Sequence, residues 1–408
     1  MTAASGQNPP DTPLPPPGRF SLFRRIWRRI ENGVFLFFFL FIVLYFVLQS
    51  PLVQNWLVGK ATAFLSEELQ TTVRLDRIDV GLFDNVILEG LYVEDRNQDT
   101  LLVARELRAS LETNFFSILN NRLNFDEITL SSVQLRLKRP AGQAEHNAQF
   151  ILDYFVKPRA PGKPPAPFHL RIKNFWLFNI VFSNQDEVSG QKMRFTLPKG
   201  NIRIHSFDVG KNTAELESVA IEGLRFELAA FEGKPLPKGA APAPQAQKVR
   251  TATDPAQAPA RPMTFSIRRF NLDKGAFKLD QYRRSPARTT APEVMDFNHL
   301  FVQDIAIQAA NVYFTDGLFF QGILKHLSAK EQSGFILRHA EAAEVVVCDT
   351  LTALYKVKIQ TDGSNLGDTI ALRYRSYKDF LRFNDRVTME AVFSEGAALR
   401  IGDLIHFS

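Results

Sequence analysis

Residues 123–137 read LNFDEITLSSVQLRL. Counting Leu123 as zero places the oily side chains Leu123, Phe125, Ile128, Leu130, Val133, Leu135 and Leu137 at positions 0, 2, 5, 7, 10, 12 and 14. On a helix, at about 100° per residue, those positions scatter around the whole circumference and leave no apolar stripe. On a strand the two-residue steps keep one face, but each three-residue step would throw the next pair onto the other face. The face survives only if one residue is absorbed at each such step, by a β-bulge, a bend or a tight turn. The stretch therefore reads as a repeatedly kinked strand that keeps one oily side.

The same beat recurs from Leu170 (Ile172, Phe175, Leu177), Ala214, Phe265 (Ile267, Phe270, Leu272), Leu300 and Phe335. It begins earlier still, in FDNVILEGLYVED at residues 83–95, where Phe83, Val86, Leu88, Leu91 and Val93 hold positions 2, 5, 7, 10 and 12. Gly90 and Gly223 fall inside three-residue steps, where glycine tolerates unusual backbone. The pattern predicts a mainly β chain with few short helices, the helical candidates being residues 148–156 and 318–327. One apolar face maintained over so many strands has two solutions. The sheet closes or packs on a second sheet, or it curls into an open gutter filled by something else apolar. In the gutter reading the lining is Val86, Leu88, Leu91, Val93, Leu123, Phe125, Ile128, Leu130, Leu170, Ile172, Phe175, Leu177, Phe265, Ile267, Phe270 and Leu272, and the filling is lipid.

With 408 residues the chain has room for two or three ordinary domains or one elongated one. Its aromatic set is skewed, with 36 Phe against 8 Tyr and 3 Trp, which supplies oil without a polar handle. The net charge of +6 is not a nucleic-acid signature once it is located. Residues 1–31 carry about +3, residues 157–167 about +3 and residues 233–262 about +4, which leaves the patterned remainder at about −4. A basic binding face would need the excess within the fold. The single Cys348 excludes an intrachain disulfide framework and reads as a small buried hydrophobe.

The N-terminal residues 1–18 are proline-rich, polar and too poor in oil to pack, so they are expected to be disordered. Residues 19–50 hold a basic flank and a candidate span made of Val34, Phe35, Leu36, Phe37, Phe38, Phe39, Leu40, Phe41, Ile42, Val43, Leu44, Tyr45, Phe46, Val47 and Leu48. That run is short of the roughly 20 residues of a membrane helix, but Gly33 and residues 49–53 extend it into the interface. The following VLQSPL lacks the small-x-small cleavage site of a signal peptide. Arg24, Arg25, Arg28 and Arg29 precede the span and Lys60 is the first basic residue after it, so the N-terminus is expected in the cytoplasm and the bulk is exported. Residues 51–70 then set Leu52, Val53, Trp56, Leu57, Ala61, Phe64, Leu65 and Leu69 at helical spacing, as an amphipathic helix that lies on a membrane or caps a core. Residues 71–156, 168–232 and 263–408 are β segments, separated by a proline-rich loop at 157–167 and a Pro/Ala-rich, disordered linker at 233–262. The pattern reaches Ser408 without a closing element, so the native chain is expected to continue.

The cytoplasm-facing anchor, the helix PLVQNWLVGKATAFLSEELQTTV, the strand pair VRLDRIDVGLFDNVILEGLYVED, the segment DTLLVARELRASLETNFFSILNNRLNFDEITLSSVQLRLKR and NAQFILDYF together resemble the N-terminal part of the AsmA/TamB family, particularly its Bacteroidota branch. The resemblance is good over residues 30–156 and looser to the C-terminus, where ALRYRSYKDF and AALRIGDLIHFS are again similar. It implies an inner-membrane-anchored periplasmic protein with an elongated, curled antiparallel β-sheet groove related to chorein-type bridge-like lipid transporters. Phospholipids and the inner membrane are then the partners, and an outer-membrane barrel protein is the partner in the branch that assists outer-membrane protein assembly.

No catalytic signature competes with that reading. The seven histidines are scattered singly, and HExxH, CxxC, P-loop, Rossmann and G-x-S-x-G patterns are absent. Acids such as Asp76, Asp79, Asp84, Glu94, Asp95 and Asp99 are expected on solvated faces or in turns. No cofactor or metal is expected, and no enzyme activity. The second reading is a non-catalytic envelope scaffold whose sheet edge pairs with a client strand or a barrel.

Overall fold

The structure, a computed structural model, describes residues 50–81, 85–111, 122–151, 169–208, 212–234, 264–288, 290–315, 319–348, 351–374, 387–393 and 395–399, with Leu36, Phe39, Leu40, Ile42, Val43, Phe46, Val47, Asp403 and His406. One helix, α1 (Pro51–Leu69), precedes the strands β1 (Val73–Arg74), β2 (Arg77–Val80), β3 (Asn85–Glu94), β4 (Thr100–Leu111), β5 (Arg122–Arg139), β6 (His169–Asp186), β7 (Gln191–Asp208) and β8 (Thr213–Glu222). After them come β9 (Arg225–Ala230), β10 (Thr264–Gln281), β11 (His299–Thr315), β12 (Phe319–Glu331), β13 (Ile336–Cys348), β14 (Leu351–Thr361), β15 (Asn365–Tyr374) and β16 (Val387–Phe393). All sixteen strands form one sheet in chain order, with β2 beside β1 on β3 and β9 prolonging β8 between β7 and β10.

The sheet is mixed, where an antiparallel one was expected. Strand β5 runs parallel to β6, and β8 and β9 run parallel to β10. The reason lies in the two proline-rich stretches. Each was read as a loop insertion, whereas each joins the end of one long strand to the start of its parallel neighbour. Such a crossover needs a dozen or more residues. To return along an 18-residue strand, roughly 60 Å at about 3.3 Å per residue, residues 140–168 and 231–263 suffice.

The absorbed residues of the broken beat are visible in the backbone. Gly90 (φ 69°), Ser132 (φ 53°), Asn179 (φ 53°), Gly223 (φ 74°) and Lys274 (φ 53°) are all left-handed, and each stands at position 9, inside a three-residue step. The strand registers join them into one crease, from Gly90 past Arg105 to Ser132, then Asn179, Pro198, Gly223 and Lys274. A second crease passes Asp126, Lys173, Glu217, Arg268 and the left-handed Asn311 (φ 50°), where the pairings again skip a residue. A bulge in one strand is a local kink. Aligned bulges in neighbouring strands bend the sheet along a line.

Two helical expectations change. Residues 318–327 were expected as a helix from the spacing of Phe319, Phe320, Ile323, Leu324 and Leu327, but Phe319–Glu331 is strand β12, hydrogen-bonded on both sides. Pairing with β11 and β13 overrides the local spacing, and the misfit persists as register shifts at Gly322/Leu324 and Leu324/Leu327. Of the other candidate, residues 149–151 are helical and residues 152–156 lie outside the described set. Helix α1 forms as expected but buries none of its residues. Leu52 (83%), Trp56 (60%) and Phe64 (57%) are exposed because oily residues surround the helix instead of forming one stripe. Leu69 packs against Val73, Val93, Leu101 and Phe150, and Ser66 Oγ bonds to the Val73 backbone. The expected span at residues 34–48 lies mostly outside the described residues, and its described members, Leu36, Phe39, Leu40, Ile42, Val43, Phe46 and Val47, are helical and exposed. Among the described residues no helix is long and apolar enough to cross a membrane.

Candidate functional site

Register, more than burial, organises the apolar residues. Starting from Val86 and stepping strand by strand through the pairings gives Ala109, Ile128, Phe175, Ile202, Val219, Phe270, Ala309, Leu324 and Ala342. A second row starts at Ile78 and Leu88 and continues through Leu107, Leu130, Leu177, Gly200, Ile221, Leu272, Ile307, Leu327, Ala340 and Ile359 to Leu366. A third runs Val93, Leu102, Leu135, Phe182, Phe195, Phe226, Phe277 and Val302, with Phe226 and Phe277 stacked at 5.9 Å. The rows cross the sheet at right angles to the strands. Residues on either side of a three-residue step share one face, since Leu216, Val219 and Ile221 pack with Ile267, Phe270 and Val312.

The sixteen lining candidates occupy this pattern unevenly. Val86, Leu88, Val93, Ile128, Leu130, Phe175, Leu177, Phe270 and Leu272 are row members, and Leu91 packs beside Val93. Phe125 pairs with Ile172 and Phe265 with Ala214 nearer the strand starts, where Phe265 is 37% exposed and Ile267 is 9% exposed. Leu123 pairs with Leu170 in the backbone register, and their side chains lie outside the described set. Sequence reasoning missed the contributions of β4, β7 and β12, such as Ala109, Ile202 and Leu324. Reading the beat backwards along these returning strands would have found several of them.

The opposite face is charged. Glu217 pairs with Arg268 at 3.2 Å and Arg269 at 2.9 Å, Lys274 with Glu222 at 2.9 Å, and Lys173 with Asp126 at 2.7 Å. Trp176, next to row member Phe175, donates its indole N–H to Glu127 at 3.1 Å and stacks on Phe178 at 5.9 Å. The sheet thus has one oily and one ionic side. Among the described residues there is a single sheet and every extensive contact between strands is one of pairing, so no second sheet covers the oily side; only one end of the third row is covered, where Phe150, Ile151 and Leu69 pack with Val93, Leu102 and Leu135. Most row members are accordingly half-buried.

One end of the strands is finished by polar turns. Of the eleven buried polar residues, only Asn201 lies away from this end, and the acids serve as turn caps. Asp95, expected on a solvated face or in a turn, stands at a turn but is only 2% exposed, and it accepts the backbone N–H groups of Asn97 and Asp99. Asp296 does the same for Asn298 and His299. The segment after β16 returns along this end, bridging Asn365 to Ala398 and placing the Asp403 carboxylate on the hydroxyls of Thr361 and Ser364. Beside the Asp95 turn, a polar cavity of about 210 Å³ is lined by Arg96, Glu145, His146 and Phe150. Burial, reinforced by the Arg139 charge, pushes the His146 imidazole below its usual range.

Asp186 is the most perturbed acid. Burial alone would raise its carboxyl, but the fork of Arg139 and the backbone N–H of Ser189 outweigh burial and hold it well below the usual carboxylate range. A carboxyl depressed in the folded state stabilises fully above its unfolded value of about 3.9 and loses that contribution as the pH falls towards its lower folded value. We expect Asp186→Asn to flatten the acid limb of stability below about pH 4, measured as urea midpoints against pH. An unchanged limb would show that Asp186 is not the group titrating there.

Among the described residues no group of three or more His, Cys, Asp or Glu is placed to hold a metal ion. Cys348 is half-buried. No protein-family model and no curated protein matches this chain.

Proposed function

We propose that the oily side of the sheet is a phospholipid-binding surface, and that the chain is an inner-membrane-anchored periplasmic protein of AsmA/TamB type that binds or conducts lipid for outer-membrane biogenesis. The observation that carries this reading is the continuity of the rows. The second runs unbroken from β2 to β15, and among the described residues no second sheet lies over it. A row crossing thirteen strands at about 4.8 Å spacing is roughly 58 Å long. A 16-carbon acyl chain left in water would cost about 12 kcal/mol at about 0.8 kcal/mol per CH₂, so a protein that carries lipid through an aqueous compartment needs such a continuous lining. The two aligned creases favour an elongated sheet curled around its oily side into a groove. In this reading the span at residues 34–48 anchors the chain with its N-terminus in the cytoplasm, and no residue is catalytic and no cofactor is used. An outer-membrane barrel protein is the partner in the second reading, a non-catalytic scaffold that assists outer-membrane protein assembly.

Strand β16 gives the scaffold reading its own support. Among the described residues it pairs only with β15, and it exposes Val392 (52%) and Phe393 (55%), an edge that an added strand would fit.

Adjacent residues on opposite faces provide the test. A photo-reactive phenylalanine analogue at Phe175 is expected to yield phospholipid adducts in cells, and the same analogue at Trp176 is not. Equal labelling at both positions, or none at Phe175, would sink the lipid reading. Polypeptide adducts at β16 without lipid at Phe175 would favour the scaffold.

A further inference from the structure

His326 and His339, thirteen residues apart in sequence, meet across β12 and β13 with their Nδ1 atoms 2.8 Å apart and ring centroids 5.0 Å apart. Both adjoin row members, Leu327 and Ala340, so they belong to the charged face and are independent of the lipid reading. Their outer nitrogens are held. His339 Nε2 lies 3.2 Å from Glu341 Oε2, the other oxygen of that carboxylate, Oε1, accepts from Lys358 at 2.7 Å, and His326 Nε2 lies 3.1 Å from Ser328 Oγ. If each Nε2 carries its hydrogen and donates it outward, the two Nδ1 lone pairs face each other nearly end-on across the space between the rings, and a rotation of both rings aims them at one point beside it. In the metal-free chain one proton fills that space, with His326 donating from Nδ1 and Ser328 donating to its Nε2. A rotation of the serine hydroxyl and a shift of one tautomer then expose both lone pairs without net release of a proton from neutral rings.

We propose that this pair is a two-histidine site for a divalent transition-metal ion, Cu²⁺ above all. An ion about 2.05 Å from each of two nitrogens 2.8 Å apart subtends an angle of about 86°. That suits adjacent positions of a square-planar or octahedral ion, whereas a tetrahedral one would need the nitrogens about 3.3 Å apart. Imidazole nitrogens at right angles favour Cu²⁺, the strongest binder of its series. The carboxylate behind His339 is the orienting partner that metal-bound histidines generally have. The remaining positions are open to water, and Gln308 and Gln360 flank the pair at its register positions.

The full chain, in detergent and free of chelators, would be titrated with Cu²⁺ and followed by electron paramagnetic resonance. One equivalent with hyperfine structure from two nitrogens is expected. It should be lost in His326→Ala and in His339→Ala, and weakened about tenfold or more in Glu341→Gln. In the unsubstituted chain, Cu²⁺ should also protect both histidines from diethyl pyrocarbonate, a reading that stands even if a variant misfolds. Absence of the two-nitrogen signal, its persistence in the double variant His326→Ala/His339→Ala, or equal carbethoxylation with and without Cu²⁺ would overturn the site.

Discussion

Ile128→Asp is expected to reduce phospholipid adducts at Phe175 by about 100-fold or more while shifting the chain's own unfolding midpoint little. Ile128 lies in the first row, between Ala109 on β4 and Phe175 on β6, and it is half-buried. In an open lipid-filled groove, a carboxylate there meets water whenever the groove is empty. It loses that water only when an acyl chain lies on it, and a desolvation of several kcal/mol falls on the lipid complex. A 100-fold loss corresponds to only about 2.7 kcal/mol, so it is a modest demand. If the rows were instead packed dry against protein, the same carboxylate would be buried permanently and would destabilise the fold by about 3–5 kcal/mol. The two measurements, adduct yield and urea midpoint, therefore move in opposite proportion under the two readings. A folded variant that keeps its lipid would remove Ile128 from the lining.

The broken beat made the strands, the one-sided oil and the kinks legible, because each is a statement about alternation along one strand. Gly90 and Gly223 were readable as kink sites since glycine adopts their positive φ freely, whereas Ser132 and Lys274 perform the same turn without a chemical signal. Strand direction was not legible. Read from its last member, the beat of residues 123–137 is 0, 2, 4, 7, 9, 12 and 14, almost its own mirror image, so a parallel neighbour such as β6 looks like a returning one. Only the length of the linkers distinguished them. The β12 residues were misread because a strand with repeated bulges spaces its oil by three and four, as a helix does. Buried acids were invisible as such, although D-R-N at Asp95 and D-F-N at Asp296 are turn-capping patterns. The meeting of His326 with His339 depends on the β12–β13 register and could not be read before it.

Gly190→Ala is expected to destabilise the sheet by about 3–5 kcal/mol, far more than alanine at the other left-handed glycines. Gly190 ends the turn between β6 and β7 with φ 68°, and a Cβ there would stand 2.1 Å from the Phe231 carbonyl oxygen and 2.6 Å from the Gly233 nitrogen. Both obstacles are backbone. Gly233 reciprocates, since its own Cβ would stand 2.5 Å from the Val188 carbonyl oxygen. The two turns are also tied by hydrogen bonds, Phe231 N–H to Gly190 O at 2.8 Å and Lys234 N–H to Glu187 O at 2.8 Å, with Arg283 reaching Ser189 O at 2.8 Å. Relieving the collision means parting these bonds at the finished end of the strands. Gly142, with φ 80° and nothing within 4 Å, isolates the purely conformational effect, about 1–2 kcal/mol. Gly90 falls between them: the Asp76 carboxylate 1.9 Å from its added Cβ can swing into water, whereas the Asp76 Cβ at 2.7 Å moves only with the backbone. The expected order in urea midpoint is therefore Gly142→Ala highest, Gly90→Ala next and Gly190→Ala lowest. Equal midpoints for Gly142→Ala and Gly190→Ala would mean that the two turns do not interlock in solution.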